Sequence, residues 1–125
     1  MNRVFLIGNV ASDVSAAATS TGIPVTTFQL AVNRRHKDSS GSRPTDFLPV
    51  VCWRGVAEVC GRHLSKGKKI ALYGEIQTRS YDAKDGSKRY VTEIVADEVE
   101  FLTPKGESRP TMEGFTEITD VGLPF

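Results

Sequence analysis

Residues 46–77, DFLPVVCWRGVAEVCGRHLSKGKKIALYGEIQ, change hydrophobic period twice, and those two changes decide the fold. From Asp46 to Trp53, β-branched and aromatic residues cluster as they do in a strand. Between Gly55 and Leu64 the period lengthens: Val56, Val59, Cys60 and Leu64 fall at i, i+3, i+4 and i+8, one stripe of a short helix. Lys66 and Gly67 end that stripe. From Lys69 to Gln77 the strand pattern returns, and it continues to Tyr81. A single helix is therefore expected between two strands.

Upstream, two further runs read as strands. Val4 to Ile7 is closed by Gly8 and Asn9, and Val25 to Val32 follows the turn-forming Thr21, Gly22 and Pro24. In the second run Phe28, Leu30 and Val32 share one face while Thr27, Gln29 and Ala31 share the other, so the first face should meet a core. The segment RRHKDSSGSRP, residues 34–44, holds the turn formers Asp38, Ser39, Ser40 and Gly41 and makes a long hairpin of the second and third strands. Downstream, Asp82 to Gly86 is a turn before a last run from Lys88 to Leu102, a second hairpin. The order strand, strand, strand, helix, strand, strand matches an all-β, five-stranded Greek-key OB-fold barrel with its helix plugging one end. An SH3-like barrel or a small sandwich is the competing architecture; the helix between strands three and four favours the OB-fold.

The chain has 125 residues, enough for one domain and not for two cores. Hydrophobic residues make up 39% and charged residues 25%, a globular composition. The pattern assigns residues 1–102 to the barrel, 103–116, where Pro104, Gly106, Ser108, Pro110 and Gly114 gather, to an unstructured linker, and 117–125 to a short tip. That tip combines Glu117 and Asp120 with the apolar Leu123, Pro124 and Phe125. Net charge is +1, but basic residues are in excess over 1–102 and acidic ones over 103–125. No apolar run approaches the roughly 20 residues of a membrane span, and no signal sequence opens the chain, so a cytoplasmic protein is expected.

Several function classes drop out. No nucleophile, base and orienting acid share a recognisable motif, and no glycine-rich phosphate loop is present, so the chain reads as a non-enzyme without a cofactor. Cys52, Cys60, His63 and His36 are metal-ligand types, but they lack CxxC or HxxxH spacing, and the cysteines read as small buried hydrophobes. A disulfide between subunits through Cys52 or Cys60 is a minor alternative, unusual for the cytosol.

What remains is a pattern of basic residues interleaved with aromatic ones. Unpaired nucleic acid presents bases with π faces and a row of phosphates, so a binder needs rings and cations alternating along a groove. Phe47 and Trp53 lie six residues apart on one strand, hence on the same face, about 20 Å apart. Tyr81 sits near the tip of the second hairpin beside Arg79, with Lys84, Lys88 and Arg89 close by, and the first hairpin adds Arg34, Arg35, His36, Lys37 and Arg43. For each ring the competing assignment is the protein core, and for each charge a solvated surface. An oligomeric barrel whose main ligand is another protein is the rival function, and single-stranded RNA is a rival ligand.

The segments VFLIGN (4–9), PVTTFQLAVNRR (24–35), TDFLPVVCW (45–53), VAEVC (56–60), HLSKG (63–67) and YGEIQTRSYDAKDGSKRYVTEIVAD (73–97) together closely resemble bacterial single-stranded DNA-binding proteins. The resemblance implies an OB-fold, a homotetramer, and sequence-independent binding of single-stranded DNA in replication, recombination and repair. By position it implies base stacking on Phe47, Trp53 and Tyr81, with His36 at a fourth site where the family usually has a larger ring. It further implies phosphate contacts by Arg3, Arg34, Arg54, Lys66 and Arg79. A tail ending in Asp120, Leu123, Pro124 and Phe125 implies docking on replication and repair enzymes, weakened because Val121 and Gly122 stand where acids are usual. The short linker suggests a specialised paralogue.

Overall fold

The computed structural model describes residues 1–102; the linker and tip expected over 103–125 lie outside the described residues. The strands are β1 (Val4–Val10), β2 (Ser15–Ala18), β3 (Pro24–Asn33), β4 (Thr45–Trp53), β5 (Lys69–Asp82) and β6 (Lys88–Phe101), and one helix, α1 (Arg54–His63), stands between β4 and β5. Neighbours run in the order β1-β5-β6-β4-β3-β2, and β1 also pairs with β3, so β1, β5, β6, β4 and β3 form a closed ring. The ring's parallel contact joins β4 to β6, with Val50, Val51 and Cys52 opposite Ile94, Val95 and Ala96. This is the expected all-β OB-type architecture.

The core fills the ring. Phe28, Leu30, Val50, Ile70, Leu72, Ile94 and Ala96 are buried, and α1 closes one end with Ala57, Cys60 and Leu64. The alternation on β3 lands as expected, with Phe28 and Leu30 inside. The helix stripe needs a correction: Val59 is 47% exposed, and the buried stripe runs through Ala57, Cys60 and Leu64 with Val56 at its margin. At 100° per residue, Val59 falls outside the arc that those four share. Thr26 is the one buried polar residue among the described ones, and its Oγ1 donates to the Ala57 carbonyl at 2.7 Å, tying α1 to β3.

The end of β1 and the strand β2 differ from the sequence reading by more than a residue. Gly8 does not end β1; the strand runs on to Val10 because there it crosses β3, pairing Asn9 with Ala31 and Val10 with Leu30. A Cβ at Gly8 would collide with the Ala31 carbonyl oxygen, so the residue read as a terminator is a close approach between backbones. The strand β2 was not expected at all. Ser-Ala-Ala-Ala is exposed throughout and has no apolar period, and it becomes a strand only because the edge of β3 offers it a ladder from Ser15↔Thr27 to Ala18↔Pro24.

Candidate nucleic-acid interface

Residues directly opposite one another in a sheet point to the same side. On β4 the outward series is Phe47, Pro49, Val51 and Trp53, facing Ala31, Gln29, Thr27 and Val25 of β3. Val51 lies opposite Val95 of β6, Val95 opposite Glu75 of β5, and the outward series then climbs the second hairpin through Gln77↔Glu93 and Arg79↔Val91 to Tyr81↔Arg89. Phe47, Trp53 and Tyr81 therefore share the outer surface of one curved sheet. All three rings are open to solvent, with exposures of 62% for Phe47, 41% for Trp53 and 48% for Tyr81, so none of them belongs to the core.

Between Trp53 and Arg79 this surface dips into an open cleft of about 490 Å³, floored by Val25, Thr27, Val51 and Val91. Its rim includes Ser12 and Asp13 from the β1–β2 connection, residues that sequence reasoning missed. The floor was also missed, although strand parity with Phe47 and Trp53 points to Pro49 and Val51. Trp53 ends β4 in an extended conformation, and the chain then turns sharply into α1 at Arg54, whose φ of 57° lies in the left-handed region. A non-glycine residue there carries strain, and the turn leaves Trp53 and Arg54 together at an exposed corner.

The cations fall into two groups. Arg34 grips Asp46 with two 3.0 Å bonds from Nε and Nη2, Arg79 Nε is 3.3 Å from Glu93 Oε1, and Arg3 Nη1 is 3.2 Å from Asp97 Oδ2. The bond from Arg34 holds the Asp46 carboxyl below its usual range and raises Arg34 in turn. These three arginines are preoriented by carboxylates, whereas Arg54 and Lys66 make no ion pair among the described residues. Arg79 lines the cleft. Lys66 does not: it sits in the α1–β5 turn, where Gly67 donates to the Val10 carbonyl. Arg3 also stands away from the cleft, 5.6 Å above the Tyr73 ring.

His36 is exposed in the β3–β4 arm, as are Arg35, Lys37 and Arg43. The arm's tip is clasped by Asp38, whose Oδ1 accepts from Ser40 N, Ser40 Oγ and Ser42 N at 3.0, 2.6 and 3.0 Å. The β5–β6 arm repeats the device, with Asp85 Oδ1 accepting from Ser87 N and Oγ at 2.9 and 2.6 Å, and carries Lys84 and Lys88.

The cysteines are in neither place. Both are fully buried, with Sγ atoms 4.0 Å apart, so neither can reach a second subunit while α1 is seated on the barrel. His63 packs edge-on against Phe101 instead.

A second exposed apolar area lies on β1. Phe5 and Ile7, 77% and 59% exposed, stand beside Tyr73, Glu98 and Glu100. From Val4 to Gly8, β1 pairs with β5 along one edge only, since its contact with β3 is confined to Asn9 and Val10.

The model of the Single-strand binding protein family matches residues 1–102, the whole of the ring with its helix. The chain belongs to that family. It is 51% identical over 126 residues to a single-stranded DNA-binding protein of Clostridium tetani, covering 100% of this chain and 86% of that protein. It is also 51% identical over 105 residues to a single-stranded DNA-binding protein of Caldanaerobacter subterraneus, covering 84% of this chain and 70% of the relative. Single-stranded DNA-binding protein 3 of Clostridium acetobutylicum is 52% identical over 103 residues, with 82% and 71% coverage. Family membership puts the chain among DNA-binding proteins that are not enzymes. No helix among the described residues is long and apolar enough to cross a membrane.

Proposed function

We propose that this chain binds single-stranded DNA without regard to base order and protects it during replication, recombination and repair, stacking bases on Trp53, Phe47 and Tyr81 while cations neutralise the backbone. The observation that carries this reading is the common outer face: three solvent-open rings and Arg79 on one side of a continuous sheet. Any base has a π face, so stacking tolerates every sequence, at roughly 1–3 kcal/mol per ring. Phosphate can replace carboxylate at a preoriented guanidinium, because both accept the same two-pronged bond. Arg34 and Arg79 would exchange Asp46 and Glu93 for phosphates, and Arg54, Lys66 and Arg3 would extend the path. His36, a smaller ring at the arm tip, would add a fourth, weaker stack.

The assembly is a homotetramer in this reading, built partly through β1. Its open edge and the exposed Phe5 and Ile7 give a second copy both a ladder and an apolar surface to cover. The terminal Asp120, Leu123, Pro124 and Phe125 would dock weakly on replication and repair enzymes. The chain would act in the bacterial cytoplasm with the nucleoid.

Titration with oligothymidylates of increasing length at two salt concentrations tests the proposal, with Trp53, the only tryptophan, as the fluorophore. Quenching that saturates, with log affinity falling by about 0.7 per phosphate contacted for each decade of salt, is expected. Unchanged emission together with salt-independent affinity would favour the rival, a barrel whose main ligand is a protein. Competition by RNA of equal length decides between the two nucleic acids.

A further inference from the structure

The buried thiol pair Cys52–Cys60 takes no part in the proposed DNA path or in the β1 contact. Cys52 closes the buried series of β4 immediately before Trp53, and Cys60 lies on the inner face of α1. Their Sγ atoms are 4.0 Å apart, and both side chains are fully enclosed. A sulfur pair at that separation needs a closing movement of about 2 Å to reach the bond length of a disulfide. No other cysteine exists in the chain to compete for either.

We propose that Cys52 and Cys60 are an oxidisable dithiol that closes to an intramolecular disulfide under a hydroperoxide, clamping α1 to β4. The chemistry balances with the peroxide as the only co-reactant. The Cys60 thiolate attacks one peroxide oxygen, the O–O bond breaks and hydroxide leaves, giving a sulfenic acid at Cys60. Cys52 then loses its thiol proton and attacks the Cys60 sulfur; the S–S bond forms, the S–O bond breaks, and the oxygen leaves as water. Two thiols and one hydrogen peroxide become one disulfide and two waters.

Two features of the fold select this order and give the oxidant a way in. The Cys52 thiol is directed at the Cys60 sulfur, and that hydrogen bond favours the thiolate at Cys60 while raising Cys52. The second feature is the helix α1 that covers the pair. It has ten residues, no side-chain bond at its N-cap Trp53 and no acidic residue in its first turn. Its side-chain attachment consists of Ala57, Cys60, Leu64, the margin of Val56, the bond from Thr26 and the edge-on packing of His63 against Phe101. A partial lift of α1 admits peroxide to the Cys60 sulfur without parting any strand of the barrel, the local opening by which a buried group meets a small reagent. Reseating of the helix returns the Cys60 sulfur to Cys52. Peroxide is small enough for that route, and a bulky disulfide oxidant is not.

The bridge would span residues 52–60 and so encircle the Trp53–Arg54 corner. The assignment itself does not depend on DNA binding, because its readouts need no DNA. The folded full-length protein is treated with hydrogen peroxide, quenched with an alkylating reagent under denaturing conditions, and measured by intact mass and by nonreducing electrophoresis. The expected result is loss of both titratable thiols, a mass lower by two hydrogen atoms, no covalent dimer, and a higher melting temperature that dithiothreitol returns to the starting value. In Cys52→Ser the remaining Cys60 should accumulate as a sulfenic acid that dimedone traps, with no rise in melting temperature; Cys60→Ser should react far more slowly. Both thiols alkylated after peroxide treatment, a sulfinic acid without the bridge, or a covalent dimer would each overturn the proposal. Since the wild-type chain carries the decisive measurement, a serine variant that fails to fold leaves the outcome readable.

Discussion

Two exposed aromatic surfaces lie on this barrel, and they differ in what surrounds them. On the β4 side, Trp53 stands beside Arg54 and across a cleft from Arg79, with the second hairpin carrying Tyr81, Lys84, Lys88 and Arg89. On the β1 side, Phe5 and Tyr73 stack tilted at 5.6 Å between centroids, and the adjoining groove is lined by Glu98 and Glu100. Solvent-open rings are therefore not a sufficient mark of a nucleic-acid interface. The β4 cleft also holds carboxylates, Asp13 and Glu93, but there Arg79 pairs with Glu93 and the arms add further cations. At the β1 groove Glu98 and Glu100 flank the apolar face, Arg3 is paired with Asp97 at its side, and the open strand edge favours a protein surface. In the proposed reading the β4 side meets DNA and the β1 side a second copy of the chain.

The sharpest way to break that assignment is at β1. Ile7→Asp places a carboxylate in the surface that we assign to a second copy, and a charge left buried without a partner costs about 3–5 kcal/mol. Sedimentation should show the assembly falling to a smaller species, with each subunit still binding short oligothymidylate. If assembly survives intact, β1 is not the contact.

Next in size is Trp53→Ala, which should weaken oligothymidylate binding by about tenfold to a hundredfold, the equivalent of one lost stacking platform. Tyr73→Ala, on the other surface, should leave binding of a short oligomer unchanged under conditions that preserve assembly. Equal losses from the two substitutions would erase the distinction between the surfaces.

A smaller effect separates the two arginine pairs. Arg79→Gln should flatten the dependence of log affinity on log salt by about 0.7, one phosphate contact, measured by titration at several salt concentrations. Arg3→Gln tests whether the phosphate path extends to the β1 side: the full proposal expects a similar change, and no change would confine the path to the cleft and the arms.

The barrel could be read in the sequence because its signal is periodic. Phe28 and Leu30 alternate with polar neighbours, and the change of period at Gly55 marks α1. What could not be read has a tertiary cause in each case. The β2 strand depends on the edge of β3 and not on its own composition, and Gly8 is explained only by the crossing with β3. Strand parity alone puts Phe47 and Trp53 on one face, but only the β4–β6 and β5–β6 pairings carry Tyr81 onto that same face. The partners of Arg34 and Arg79 were equally hidden. Asp46 is twelve residues from Arg34 and Glu93 fourteen from Arg79, and a hairpin register is needed to bring each pair together.

The least effect, and the most local, concerns the two arms that carry the basic residues. Asp38 and Asp85 are both held below the usual carboxylate range, mainly by the hydroxyls of Ser40 and Ser87 and further by backbone N–H groups. A carboxyl whose pKa is lower folded than unfolded stabilises its loop above the unfolded value, near 3.9, and loses that contribution as pH falls through the folded one. Both tips should therefore stay clasped at neutral pH and loosen below about pH 4, read as movement of the Ser40, Ser42 and Ser87 amide resonances while barrel amides hold. The tips differ in one respect: Asp85 also faces Arg89 at 3.6 Å, whereas Asp38 makes no ion pair among the described residues. Salt screens an exposed ion pair far more than a hydrogen bond to backbone, so added salt at neutral pH should shift the Ser87 amide and leave Ser40 and Ser42 in place. Equal shifts at the two tips would mean that Arg89 takes no part in the second clasp and is as free for phosphate as Lys84 and Lys88.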